Sequence, residues 1–328
     1  MTGWGSPGGV LTVTANPAWD ETYTVSSVIP GSSHRVSPPL ARAGGKGINV
    51  ARVARQLGAP ALAVTTYGGP RGELFRQDLD TSGIHHRLVK VDSDTRRSIA
   101  ISDLAAGATT LFNETGLPLS PAEWQELRAE VEAGLPRADV LVGSGSLPAE
   151  APAGFYPWLV GLAAARGIPC IIDTSGPDLL RAAEAGAFAL KPNQQELMEA
   201  TGETDLRRAA QSLINAGAQT VFLSCGEAGL LTFSRAHPDY YLQARLGRSL
   251  PGNPTGAGDA AVAAISVDLA AGSRDTSRML RLAAACSSAA VLMPAAGEIS
   301  PRFRDLAEQI SVTRHRSRST ALEEDRWS

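Results

Sequence analysis

Gly252-Asn253-Pro254-Thr255-Gly256-Ala257-Gly258-Asp259-Ala260-Ala261-Val262-Ala263-Ala264 joins a small-residue turn to an Ala-rich helical segment whose one charge is Asp259. N–H groups at a helix start are unpaired, and the aligned peptide dipoles add positive potential there. Such a place binds anions, phosphate above all. Small side chains let a phosphate oxygen approach the backbone. A carboxylate would repel that phosphate rather than hold it. Its chemical use is as a base beside a transferring phosphoryl group, taking the proton of an attacking hydroxyl. In isolation the same residues are a turn and a carboxylate that suits the dipole. The rest of the chain decides between the two.

Working outward, strands and helices alternate. Val10–Ala15 reads as a strand that ends before Asn16-Pro17. Gly47–Leu57 has a helical apolar period, and Ala61–Tyr67 is the next strand, followed by a helix over Leu74–Asp80. From Pro121 the order is regular: helix 121–134, strand 140–142, helix 154–166, strand 169–173, helix 177–185, strand 188–191, then helices 194–200 and 205–216. Strands 221–224 and 230–233 follow, and 257–312 is mostly helical. Strands separated by helices imply a mainly parallel sheet covered on both faces, an α/β fold. Two stretches break the pattern. Residues 21–43, with Pro30-Gly31 between Thr22–Val25 and His34–Val36, and residues 95–114 alternate like hairpins with a wet face. They predict a small sheet projecting from the main body. Residues 86–92 alternate as well.

The 328 residues carry 43% hydrophobic and 19% charged side chains, enough for a sizeable core. A net charge of −3 offers no general attraction to nucleic acid or anionic membrane. No apolar run approaches a membrane span. Residues 1–9 lack a basic start and an apolar stretch, so they read as a flexible leader rather than an export signal. Cys170, Cys225 and Cys286 are far apart with no CxxC spacing, which fits buried reduced thiols in a cytoplasmic protein. The one-domain expectation spans 10–312, with tails at 1–9 and 313–328.

In a parallel sheet the ligand sits beyond the carboxyl ends of the strands. Asn16 and Asp20, Gly143–Ser146, Asp173, Lys191-Pro192-Asn193 and Ser224-Cys225-Gly226 all fall there. Ala43-Gly44-Gly45-Lys46-Gly47-Ile48-Asn49-Val50-Ala51 is the second strong element. Its glycines permit close backbone approach, Lys46 is a point charge for phosphate, and Asn49 would project from the first helical turn to bond a hydroxyl. The rival reading is a glycine turn with a solvated lysine and a capping Asn. No Walker A motif and no protein-kinase loop motif occur.

Gly-Gly-Lys-Gly-Ile-Asn-Val-Ala-Arg (44–52) and Asn-Pro-Thr-Gly-Ala-Gly-Asp-Ala (253–260) resemble the two signatures of the ribokinase-like (PfkB) carbohydrate kinases. Thr-Ala-Asn-Pro-Ala-Trp-Asp (14–20), Gly-Ser-Gly-Ser-Leu-Pro (143–148), Asp-Thr-Ser-Gly (173–176) and Lys-Pro-Asn-Gln-Gln-Glu-Leu (191–197) resemble its 1-phosphofructokinase and tagatose-6-phosphate kinase branch. The resemblance covers roughly residues 10–312. It implies a three-layer αβα fold whose small sheet, from about 20–43 and 95–114, is a lid over the sugar. It implies an ATP- and Mg²⁺-dependent kinase for a ketohexose monophosphate, fructose 1-phosphate first. Asp259 is then the base, and Gly256, Ala257 and Gly258 are the anion hole. Asp20, Gly44, Gly45 and Asn49 hold the sugar, and Lys46 with Arg96 holds its phosphate, Arg97 competing for that role. Lys191, Asn193, Ser224, Gly226 and Gly229 lie on the nucleotide side, and Glu196 organises Mg²⁺ through water. Open lid edges favour a homodimer through the lid.

Five departures bear on the acceptor: Trp19 beside Asp20, Ala260 and Ala264 on the helix after the base, Ser98 in the lid, and Glu114–Leu117 in place of Glu-Pro-Gly-Pro. A second reading is a kinase for tagatose 6-phosphate, fructose 6-phosphate or an unphosphorylated sugar. A third, of another class, is a sugar-phosphate sensor without catalysis, which the intact Asp259 and Gly258 argue against.

Overall fold

A computed structural model describes residues 8–316. In chain order its elements are β1 (Val10–Thr14), β2 (Ala18–Val25), β3 (Leu40–Gly44), α1 (Lys46–Gln56), β4 (Ala61–Tyr67), α2 (Gly69–Ser82), β5 (His85–Lys90), β6 (Arg96–Asp103), β7 (Ala108–Asn113) and α3 (Pro121–Gly134). There follow β8 (Val140–Ser144), α4 (Phe155–Ala164), β9 (Cys170–Asp173), α5 (Pro177–Glu184), β10 (Ala189–Leu190), α6 (Gln194–Thr201), α7 (Leu206–Ala216), β11 (Thr220–Ser224) and β12 (Leu230–Ser234). The chain closes with β13 (His237–Leu246), α8 (Ala257–Ala270), α9 (Thr276–Val291), α10 (Phe303–Gln309) and β14 (Ile310–Arg316).

The main sheet runs β14-β13-β12-β11-β10-β9-β8-β1-β4-β5. From β5 to β11 every neighbour is parallel, and β12, β13 and β14 add an antiparallel edge. Side chains alternate across a strand, so each buried strand feeds two cores. Leu11, Val13 and Leu141 pack with α3, α4, α5, α6 and α7, whereas Val10, Val140 and Val142 pack with α1, α8, α9 and α10. The result is the expected three-layer arrangement. Local signals agree with it: Ser120 and Glu123 form a capping box on α3, and Asp205 caps α7. Each such cap stabilises by about 1 kcal/mol.

Helix α8 is buried on every side. Its run of alanines allows close packing between α1 and α9. Ala260 and Ala264 are fully buried in this core, so these two departures are packing positions.

The lid is a separate sheet of order β3-β2-β6-β7, with β2 and β6 parallel and the outer pairs antiparallel. Two expectations need correction. His34–Val36 is not in a strand: β3 starts only at Leu40, after Pro38-Pro39, because proline gives no N–H to a ladder. The alternating residues 86–92 fall largely in β5, which pairs in parallel with β4 at the edge of the main sheet. The tail expected from 313 begins inside β14, which pairs with β13 as far as Arg316. Of the expected leader, Gly8 and Gly9 donate their N–H groups to Asp139. The remaining tail residues, 1–7 and 317–328, lie outside the described residues.

Candidate active site

The carboxyl ends of β1, β8, β9, β10 and β11 open onto one cleft of about 1210 Å³, roofed by the lid and closed on the far side by the start of α8. The strand ends contribute Asn16, Gly145, Asp173, Lys191 and Ser224, and α8 contributes Gly256 to Asp259.

Gly256 is the N-cap of α8, with a left-handed φ of 84° and no capping side chain. The first-turn N–H groups therefore face the cleft unclaimed by any side chain. Asp259 sits in that first turn, 6% exposed. The Asn49 amide donates to its Oδ2 at 2.8 Å. Burial, with Asp173 nearby, pushes the Asp259 carboxyl up to about 6, against the pull of Lys46, the Asn49 hydrogen bond and Lys191. A carboxylate with that value is a competent base near neutrality. Asn49 thus places one amide N–H on the base, a contact its sequence position did not announce, and still lines the cleft. Its own Oδ1 is buried without a partner.

Asp173 is wholly buried and holds the positive side of the cleft together. Lys46 Nζ is 3.3 Å and Lys191 Nζ 3.5 Å from its Oδ1, and the Ser144 hydroxyl donates to Oδ2 at 3.2 Å. Burial alone would raise its carboxyl; Lys191 and Lys46 outweigh that and hold it below the usual range. Lys46 also lies 3.6 Å from Glu196. Desolvation pulls its ammonium down, but Asp173, Glu196 and Asp259 together hold it above its ordinary value. The ammonium of Lys191 rests on the anion-hole turn: a Cβ on Gly258 would stand 3.1 Å from its Nζ. Asn193 and Glu196 cap α6 reciprocally, Asn193 Oδ1 accepting from Glu196 N at 2.8 Å and Glu196 Oε2 from Asn193 N at 2.9 Å. Glu196 Oε1 is thereby left toward Lys46 and the cleft. Ser224 is anchored through its N–H to Pro192, its hydroxyl has no partner, and Gly226 and Gly229 continue the same wall.

On the acceptor side, the pleat settles the arginines. Ala18, Asp20, Arg96 and Ser98 are even-numbered register partners on one face, whereas Trp19 opposes Arg97 on the other. Arg96 lines the cleft and donates to the carbonyls of Asn16 and Glu114, while Arg97 pairs with the Glu114 carboxylate outside it. Trp19 packs against the cluster of Ala43, Ile48 and Phe75, so it props the lid base and leaves the pocket unshaped. Gly44 does not line the cleft; the Asp20 carboxylate lies where its Cβ would be, and Gly45, with φ 105°, lines the floor. Burial raises the Asp20 carboxyl to about 7; Arg96 opposes and Asp259 adds to the rise. Lys46 and Arg96 line the same cleft and are held by different partners, Lys46 by Asp173 and Glu196 and Arg96 by the carbonyls of Asn16 and Glu114.

Asp173 and Asn16 were expected at the cleft from their strand-end position alone, with no role assigned to either. Leu246, Ala284 and Val291 on the nucleotide side carry no motif at all. Among the described residues no group of three or more acidic, His or Cys side chains is placed to hold a metal directly. The hard Oε1 oxygen of Glu196, turned to the cleft, suits Mg²⁺, which keeps most of its waters.

A profile of pfkB family carbohydrate kinases matches residues 13–302. This chain belongs to that family. It is 35% identical over 316 residues to the 1-phosphofructokinase of Xanthomonas campestris pv. campestris, covering 92% of this chain and 97% of that one. It is 32% identical over 310 residues to the ATP-dependent 6-phosphofructokinase isozyme 2 of Mycobacterium tuberculosis, covering 92% and 90%. Phosphofructokinase-2 from Escherichia coli in complex with fructose-6-phosphate superimposes with a TM-score of 0.79 at 29% identity, over 91% of this chain and 98% of that one. A possible 1-phosphofructokinase from Thermotoga maritima shares the fold, with a TM-score of 0.85 at 23% identity over 94% and 99%. This pfkB protein is a sugar-phosphate kinase, a phosphotransferase acting on a sugar hydroxyl with ATP as donor. Among the described residues no helix is long and apolar enough to cross a membrane.

Proposed function

We propose that the enzyme phosphorylates fructose 1-phosphate at its free primary hydroxyl, giving fructose 1,6-bisphosphate and ADP. The observation that carries this reading is the buried Asp259 carboxylate, held by Asn49 at the open start of α8 and facing Asp20 and Arg96 on the lid across one cleft. Asp20 accepts a hydrogen bond from a sugar hydroxyl, and Arg96 faces the phosphate already on the sugar. Asp259 takes the proton of the attacking hydroxyl as its oxygen bonds to the γ-phosphorus and the bond to the bridging oxygen of ADP breaks. The N–H groups of Gly258 and Asp259 stabilise charge on the transferring oxygens, that of Ala257 being taken by the Pro254 carbonyl. Lys46 and Lys191, side by side on Asp173, hold the phosphoryl group on its path. Mg²⁺, when bound, neutralises charge on the ATP phosphates; Glu196 would hold it, largely through water.

The 35% relative supports fructose 1-phosphate, and the 32% relative supports fructose 6-phosphate as the second reading. An ADP-release assay with ATP, Mg²⁺ and fructose 1-phosphate, fructose 6-phosphate, tagatose 6-phosphate, fructose or ribose decides. Fastest turnover of fructose 1-phosphate is expected; a preference for unphosphorylated fructose would remove the Arg96 role as well. A homodimer through the lid is also proposed, supported by Ile29, Leu40, Leu104 and Phe112, all large, apolar and exposed on that sheet and its loops. Light scattering that returned one chain's mass at assay concentration would dismiss it.

A further inference from the structure

Arg42 and Glu298 stand 256 positions apart in the chain and form an ion pair at 2.6 Å. Arg42 lies on β3 of the lid, directly opposite Asp20 in the β2–β3 register. Its side chain is only 11% exposed, and its Nη2 is buried without a partner. Glu298 belongs to the connection between α9 and α10, and that connection is wedged into the catalytic machinery. A Cβ on Gly297 would stand 2.8 Å from Asn49 Oδ1, and a Cβ on Gly256 would stand 2.7 Å from the Ala296 Cα. One end of the wedge therefore touches the residue that holds the base, and the other touches the turn that opens the anion hole.

The wedge has two tethers. Gln56, on α1, donates its Nε2 to the Gly297 carbonyl at 3.3 Å and accepts from Ile299 N at 2.9 Å. That tether is to the main body. The second is Arg42, and it reaches the lid. Arg42 is the buried half of the pair and Glu298 is 36% exposed, so parting them strands the Arg42 guanidinium away from water. Strand β3 is also held to the main body at Ala43, whose N–H goes to Asp78 and whose carbonyl accepts from Arg52, and the Arg42–Glu298 pair adds its link to the wedge.

We propose that Arg42 and Glu298 are positioning residues that couple acceptor binding on the lid to the geometry of the anion hole. The inference rests on Asp20 as an acceptor contact. Closure of the lid on a sugar phosphate sets β3, the ion pair carries that setting to residues 296–298, and these press Gly256 and Asn49 into register for the γ-phosphate. By reciprocity, ATP binding tightens acceptor binding by the same factor.

The test is a coupling measurement. The affinity for a non-hydrolysable ATP analogue is taken by calorimetry with and without saturating acceptor, using whichever ketohexose phosphate the panel turns over fastest. In the unaltered enzyme the acceptor should tighten analogue binding by a factor on the order of five or more. In Glu298→Gln and Arg42→Met that factor should fall close to one while affinity for the analogue alone stays put; Arg42→Lys should keep part of it. A merely structural pair would lower thermal stability and leave the factor alone. No tightening in the unaltered enzyme, or full tightening in Glu298→Gln and Arg42→Met, overturns the proposal. Asp20→Ala separates the two layers of argument: undiminished acceptor binding there removes the site reading itself, whatever the ion pair does.

Discussion

Asp259→Asn is expected to lower kcat by about 10²–10⁴-fold, the usual worth of a positioned general base. Affinity for ATP should barely move, since the carboxylate opposes phosphate rather than binding it. The pH profile sharpens the expectation. With its carboxyl pushed up to about 6 by burial and Asp173, Asp259 is protonated below that value and useless as a base. The sign follows: kcat/KM climbs as pH rises through about 6 and is lost as pH falls through it. Asp20, raised to about 7 and coupled to Asp259, adds a second component to the same limb. The Asn variant should keep only the component set by Asp20. Near-normal kcat with an unaltered acid limb would end the assignment of the base.

Gly256→Ala is the second large effect. At φ 84° an alanine costs about 1–2 kcal/mol in backbone strain. Its Cβ would also stand 2.7 Å from both the Cα and the Cβ of Ala296, closer than carbon atoms can pack. Either the α8 start or the 296–298 wedge must give way, and the N–H groups then miss the transferring oxygens. Loss of one such donor lowers kcat by about 10²–10³-fold. Gly272→Ala is the control, because Gly272 has the same φ of 84° and nothing within 4 Å of the added carbon. It should lose melting temperature and keep its kcat. If the two variants behaved alike, the anion-hole role of Gly256 would be gone.

The main sheet was legible because its strands are short apolar runs bounded by turn residues, and α8 announced its start with Gly-Ala-Gly-Asp. The antiparallel edge was not. Strand β14 begins directly where α10 ends, at Ile310, and its exposed Ser311, Thr313 and Arg314 look like the solvated tail that follows. The site was legible wherever a residue sits at a strand end or in a glycine turn. Arg96 and Arg97 could not be told apart until the register with β2 showed which one shares a face with Asp20. The central charge of Asp173 stayed hidden because its two lysines arrive from β10 and α1, brought together by topology alone. The same holds for Arg42 and Glu298, whose pairing no local pattern encodes.

Helix α8, sealed on all sides, gives the enzyme a fixed donor half, whereas Asp20, Arg96, Ser98, Leu111 and Asn113 ride on a four-stranded sheet outside the main core. Acceptor choice and transfer chemistry are therefore built from separable parts. A lineage can rewrite the lid to accept a new sugar while the phosphate machinery stays untouched, provided each new lid keeps its one charged handle on the wedge.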